Sequence, residues 1–225
     1  MRVFLKQYLP LCKSFRGWRS VNLYAHATVA VHQNRIVEGN EIMERSNRLQ
    51  GIALILVLSS LGAAVSVFVG YGGTLLSAFS AFPPVASQLL AGLHVFWLTL
   101  TGLLVSKKGS ATMAGAVKGL IEASFFSHLG VVSFAVSLLE GAVVDVVLAV
   151  FKKKHKAAIY LAGGLSSASN LIIVQFFFLP SLPLAVYAMA YSAAFLSGLV
   201  FGGYLTRQVL KIIPADLQMA VNPQR

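Results

Sequence analysis

The chain has 225 residues, 57% of them hydrophobic and 11% charged, with a mean hydropathy of +0.77. Soluble domains carry about 25% charged residues, so this composition excludes one and points to a membrane protein. The net charge of +11 does not make the chain a nucleic-acid binder. Its basic residues crowd into the N-terminal stretch and into short clusters between apolar runs, where the positive-inside rule puts them.

Residues 1–42 form a basic N-terminal segment unlike the rest. No apolar run there is long enough for a signal-peptide core. Phe4, Leu5, Tyr8, Leu9, Leu11, Phe15 and Trp18 alternate with Lys6, Lys13, Arg16 and Arg19, a mixture that suits an amphipathic interfacial helix. The preferred expectation is different: translation starts at Met43, and 1–42 is a mis-called start. Codons for Val37-Glu38-Gly39 can carry a purine-rich ribosome-binding sequence at a suitable distance before Met43. A peptide from 1–42 in native mass spectrometry would reject that reading. The single Cys12 excludes an intrachain disulfide and shows no metal-ligand spacing.

A spanning helix needs roughly 20 apolar residues, and the length after residue 50 allows about six. The runs lack the period-2 alternation of barrel strands, so helices are the spanning element. Span 1 covers 51–70 and carries small residues every fourth position, Ser59 and Ala63, then Gly62 and Ser66. Such a row serves close packing within the chain or a docking face for a partner helix. Residues 71–86 are rich in Gly and Pro yet still apolar, and read as a re-entrant or capping loop or as an interfacial turn. Span 2 covers 86–106 with Gln88, His94 and Trp97; span 3 covers 111–126, and span 4 covers 131–151. Span 5 covers 157–179 with Asn170 and Gln175, and span 6 covers 184–205 with Tyr187 and Tyr191. The membrane domain is thus 43–211, followed by a cytoplasmic tail, 212–225.

Topology comes from charge. Lys107 and Lys108, the cluster 152–156, and Arg207 with Lys211 fall on one side if the N-terminus is inside. The outer connections, 71–86, 127–130 and 180–183, hold no Lys or Arg. The expectation is an all-α membrane protein of six transmembrane helices with both termini cytoplasmic.

The charged residues placed inside the membrane are Lys118, Glu122, Glu140 and Asp145, all within 107–156. Lys118 and Asp145 fall at similar depth and are expected to form a structural ion pair. Glu122 lies one helical turn from Lys118 and can also pair with it. Charged or amide groups facing lipid cost several kcal/mol, so they turn inward. Glu122, Glu140, His94, Gln88, Trp97, Asn170, Gln175, Tyr187 and Tyr191 then line a pocket for a small, flat, polar ligand in the outer half. No metal or cofactor is implied, and no HExxH, GxSxG or P-loop is present. The chain therefore reads as a non-enzyme that does not hydrolyse ATP itself. A self-sufficient proton-coupled transporter using Glu122, Glu140 or Asp145 as a relay is the competing reading.

Lys108-Gly109-Ser110-Ala111, Glu122, Gly130, the run from Leu139-Glu140-Gly141 to Asp145, and Phe151-Lys152-Lys153 resemble the YkoE-like substrate-capture (S) components of energy-coupling factor transporters. The likeness is concentrated in 107–156, and Asp145 stands where that pattern carries Glu. The small residues of span 1 resemble the family's docking row, with Ser59 in place of Ala. The resemblance implies a multi-pass subunit of a prokaryotic cell membrane that captures a vitamin precursor. The implied substrate is hydroxymethylpyrimidine or another thiamine-related compound. It also implies, as partners, a transmembrane coupling (T) subunit and two cytoplasmic ATPases.

Overall fold

The computed structural model describes residues 18–105, 107–125, 130–151, 156–178 and 182–213, with side chains from Ser46 onward apart from Asn47, Phe125 and Phe178. Contacts divide the chain into two compact units, Met1–Arg48 and Leu49–Arg225. The described part of the first is helical. The second holds the apolar helices and every candidate site residue. The amphipathic helix expected near the N-terminus and the tail beyond 213 lie outside the described residues.

Every regular element among the described residues is helical. In chain order they are α1 (Trp18–Ala78), α2 (Pro83–Gln88), α3 (Ala91–Leu104), α4 (Ser110–Phe125), α5 (Val131–Val150), α6 (Lys156–Phe178) and α7 (Leu184–Ser197). A π-helical stretch, Gly198–Leu205, and α8 (Thr206–Ile212) then continue α7 without a break. Five stretches are long and apolar enough to cross a membrane: Arg48–Ala78, Pro83–Leu104, Val131–Val150, Lys156–Phe177 and Leu184–Ile212. At 16 residues, α4 is about 24 Å long, short of the ~30 Å hydrocarbon core. It is the helix that carries Lys118 and Glu122.

Residues 71–86 do not form the expected loop. α1 runs on to Ala78, and the chain turns only over 79–82. Gly72 and Gly73 serve packing rather than turning: a Cβ on Gly72 would stand 3.2 Å from a Leu90 methyl, and one on Gly73 3.7 Å from the Cβ of Ser87. Away from water, backbone groups must be paired within the chain, and continuing the helix does this. Pro83 and Pro84 open α2, where a missing N–H is harmless. The hydroxyl of Ser197 joins the α2–α3 junction to α7, donating to the Leu89 carbonyl at 2.6 Å and accepting from Gly92 N at 2.9 Å.

Small residues set the helix contacts. A Cβ on Gly115 would collide with the carbonyl oxygen of Ser137, and one on Gly141 with that of Ala111. α4 and α5 therefore mesh backbone to backbone. Gly163 of α6 and Gly198 of the last span meet equally closely. An apolar core around Val95, Leu98, Leu103, Val144 and Leu148 fills the space between. Many large apolar side chains face outward, Phe68, Phe79, Phe176 and Leu184 each more than 75% exposed. That distribution suits lipid as the solvent.

The row expected on span 1 as a docking face is turned inward. Ser59, Gly62, Ala63 and Ser66 are all buried. Ser59 donates to the Ala114 carbonyl at 3.1 Å, Gly62 packs on Trp97, and Ser66 meets His94. The row lets α3 and α4 approach α1, so it is not available to a partner helix in this arrangement.

Candidate functional site

Three side chains on α4 and α5 form a closed triangle. Lys118 Nζ lies 2.7 Å from Glu122 Oε1 and donates to Ser137 Oγ at 3.0 Å; Ser137 donates in turn to Glu122 Oε2 at 2.9 Å. The lysine is 1% exposed. Spacing explains the ion pair, because residues four apart share a helical face. The glycine contacts explain Ser137, since they draw α5 close enough for a short hydroxyl side chain to bridge both charges. A buried ammonium survives only if it is paired and hydrogen-bonded, and here it is both.

The expected Lys118–Asp145 pair is replaced by this arrangement. Asp145 instead accepts from Thr112 N and Thr112 Oγ1, both at 2.7 Å, and from Ala111 N at 3.3 Å. The first amides of a helix have no partner within it. Asp145 of α5 supplies one to α4 from outside, and the helix end favours its charge.

Around the triangle stand the other polar groups. His94 of α3 places Nδ1 2.7 Å from Ser66 Oγ, which also lies 2.8 Å from the Gly62 carbonyl oxygen. One hydroxyl proton cannot serve both fully, so an N–H on Nδ1 with the serine proton on Gly62 satisfies all three. His94 is within electrostatic range of Lys118 and Glu122, and Ser66 stands beside the Glu122 carboxylate. Glu140 of α5 is wholly buried and within range of the same two charges, with Asn170 of α6 next to it. The Asn170 side chain is close enough to donate toward its carboxyl, but neither oxygen has a hydrogen bond of full geometry among the described residues. Ser166 donates to the Glu140 carbonyl at 2.8 Å and so holds α6 against this turn of α5.

The residues expected to line one pocket thus separate. His94, Glu122, Glu140 and Asn170 gather in the buried cluster. Gln175 and Tyr191 form their own pair across α6 and α7, Tyr191 donating to Gln175 Oε1 at 3.0 Å. Tyr187, one turn earlier, accepts from Leu182 N at 3.5 Å. Gln88 is buried at the end of α2 with Oε1 unpartnered. Trp97 packs edge-on against Phe96, ring centroids 5.0 Å apart, and against Gly62, and works as a packing residue. Ser137 and the histidine-binding role of Ser66 are additions that sequence reasoning misses. A signal for them exists in the small residues Ala111, Gly115 and Gly119 of α4 and Ser133, Ser137 and Gly141 of α5. Both rows share the four-residue spacing of span 1.

A cluster of this kind offers one cation, one paired carboxylate, one unpaired carboxyl, an imidazole and an amide. It can recognise a small polar molecule by hydrogen bonds and charge. No group of three or more His, Cys, Asp or Glu side chains suited to a metal ion occurs among the described residues.

The model of a family described as "ABC-type cobalt transport system, permease component" matches residues 50–169. That range takes in α3, α4, α5 and most of α6. No curated protein matches the chain. Among solved structures, one titled "Crystal structure of an S-component of ECF transporter" superposes with a TM-score of 0.65 at 20% identity. The match covers 72% of this chain and 83% of that one. Its likeness is of fold. With more than half its length inside the family's match, this multi-pass membrane protein belongs to the family of ABC-type cobalt transport system permease components.

Proposed function

We propose that the chain is the substrate-capture subunit of an energy-coupling factor importer, and that the buried cluster of α3–α6 is its recognition site. The observation that carries the reading is Glu140, a fully buried carboxyl with both oxygens unpartnered among the described residues, beside the Lys118–Glu122–Ser137 triangle. A protein does not keep such a group for stability, because an unsatisfied buried polar atom costs about 1–3 kcal/mol. It is kept for a ligand. The shared fold with a solved S component supports the same reading.

The substrate we favour is hydroxymethylpyrimidine or a related thiamine precursor, as the resemblance in 107–156 implies. A flat ring with N–H donors suits unpartnered carboxylate oxygens, and Asn170 beside Glu140 supplies both a donor and an acceptor. The family's name mentions cobalt. The cluster argues for an organic substrate, since a buried ammonium within range of both carboxylates opposes a divalent cation. Transport would then need a transmembrane coupling subunit and two cytoplasmic ATPases, because the chain has no nucleotide-binding motif.

The test is isothermal titration of the purified full chain in detergent with hydroxymethylpyrimidine, thiamine, unrelated vitamins and Co²⁺. Saturable binding of the pyrimidine, weakened by Glu140→Gln, is the expected result. Binding of Co²⁺ alone would reject the substrate. Proton-dependent uptake by this chain without the coupling subunit and ATPases would reject the subunit role.

A further inference from the structure

The basic end of the membrane domain holds a cluster that the recognition site does not use. α6 and the last span meet there because Gly203 lies against Tyr160, a Cβ on the glycine falling 2.9 Å from the tyrosine Cα. Arg207 Nη1 donates to the Tyr160 hydroxyl at 3.4 Å. Since that oxygen accepts, its own proton is free to point outward as a donor. Lys156 precedes Tyr160 by one turn on α6, and Lys211 follows Arg207 by one turn on α8, so each lies on its partner's face. Lys156 and Lys211 are exposed.

No anion among the side chains described from Ser46 onward answers these charges. The acidic side chains among them are Glu122, Glu140 and Asp145. The first is held by Lys118, the last by the start of α4, and Glu140 is sealed. None of Lys156, Arg207 and Lys211 forms an ion pair among the described residues.

The same seam continues as apolar surface. Above Tyr160, Leu165 is 41% exposed, and Gly164 packs between Phe195 and Leu199. Next comes a groove of about 470 Å³ lined by Ala168, Tyr191, Ser192, Phe195 and Leu196. From Tyr160 to Ala168 is about 12 Å at 1.5 Å per residue, within the length of one acyl chain. Cations with a hydroxyl donor at one end and an apolar groove at the other match an anionic amphiphile, not a free phosphate.

We propose that an anionic phospholipid binds along this seam, its phosphate held by Tyr160, Arg207, Lys156 and Lys211, and one acyl chain in the groove at Ala168 and Phe195. The site is independent of the substrate assignment.

The experiment titrates the purified full chain in detergent with phosphatidylglycerol, with phosphatidylcholine of the same acyl chains, and with glycerol phosphate. Bound lipid is read by native mass spectrometry and by the thermal midpoint. Phosphatidylglycerol should bind at least about tenfold tighter than phosphatidylcholine and raise the midpoint, and glycerol phosphate should do neither, several cations each contributing about fivefold. Lys211→Gln and Arg207→Gln should each lower its affinity about fivefold, and Ala168→Trp should lower it with every charge intact. Lys107→Gln, at the same end but outside the seam, should leave it unchanged. If Arg207→Gln does not fold, the exposed Lys211 carries the charge test. Equal affinity for the two lipids, equal action of glycerol phosphate, or a loss in Lys107→Gln matching that in Lys211→Gln would overturn the site.

Discussion

Glu140 and Lys118 are both buried, yet they report opposite kinds of design. Lys118 has a complete set of partners, so removing it leaves Glu122 as an uncompensated charge. Lys118→Met should destabilise the protein by about 3–5 kcal/mol. The double variant Lys118→Met, Glu122→Leu should recover much of that loss, because no lone charge remains. A double-mutant cycle in reversible detergent unfolding measures the coupling; additive losses would remove the ion pair as a stabilising unit. Glu140 has no hydrogen bond of full geometry among the described residues to lose, only the approach of Asn170. Glu140→Gln should leave the thermal midpoint within a degree or two and weaken substrate binding by about 1–3 kcal/mol. A large drop in midpoint with unchanged affinity would make Glu140 a structural residue. Asp145→Asn keeps a hydrogen-bond acceptor but loses its charge at the α4 end, and should cost about 1 kcal/mol.

At the scale of elements, the α4–α5 pair is the part that everything else depends on. Its glycines let Ser137 reach both Lys118 and Glu122. Gly115→Leu has no room, since even a Cβ would collide with Ser137 O. It should separate the helices, lower the midpoint by several degrees and abolish binding. Met113→Leu on the same helix, where the side chain is 53% exposed, should change neither. If Gly115→Leu bound substrate normally, the helix contact would not be what builds the site. α1 makes a related point: its small residues and its glycines at 72–73 pack against α3, α4 and the α2 region. A Gly-rich sequence there serves packing, where in water it would signal a turn.

For the whole molecule, the balance of charge between the two ends sets orientation. Lys107, Lys108, Lys156, Arg207 and Lys211 mark one end among the described residues. Single cysteines in a Cys12→Ser background test this. Position 108 should label only from the cytoplasm and position 183 only from outside; the reverse pattern would invert the topology. Uptake into cells should require the coupling subunit and ATPases together, as the proposed role demands.

How much of the molecule is legible in its sequence depends on the range of the forces involved. Apolar length and the placement of Lys and Arg are local properties, so the sequence by itself determined a multi-pass helical membrane protein. It also determined the Lys118–Glu122 spacing. Helix boundaries from 131 to 178 came out for the same reason. The sequence did not determine which inward-facing polar groups meet. Depth along a helix is countable, but the direction each face points depends on the neighbour it packs against. Tertiary packing therefore brought Ser137 of α5 to the Lys118–Glu122 pair and sent Asp145 to the start of α4. It turned the span 1 row inward and separated Gln175 and Tyr191 from the Glu140 cluster. The deciding contacts are glycine-to-backbone approaches between helices distant in sequence, and no spacing rule within one helix can supply them.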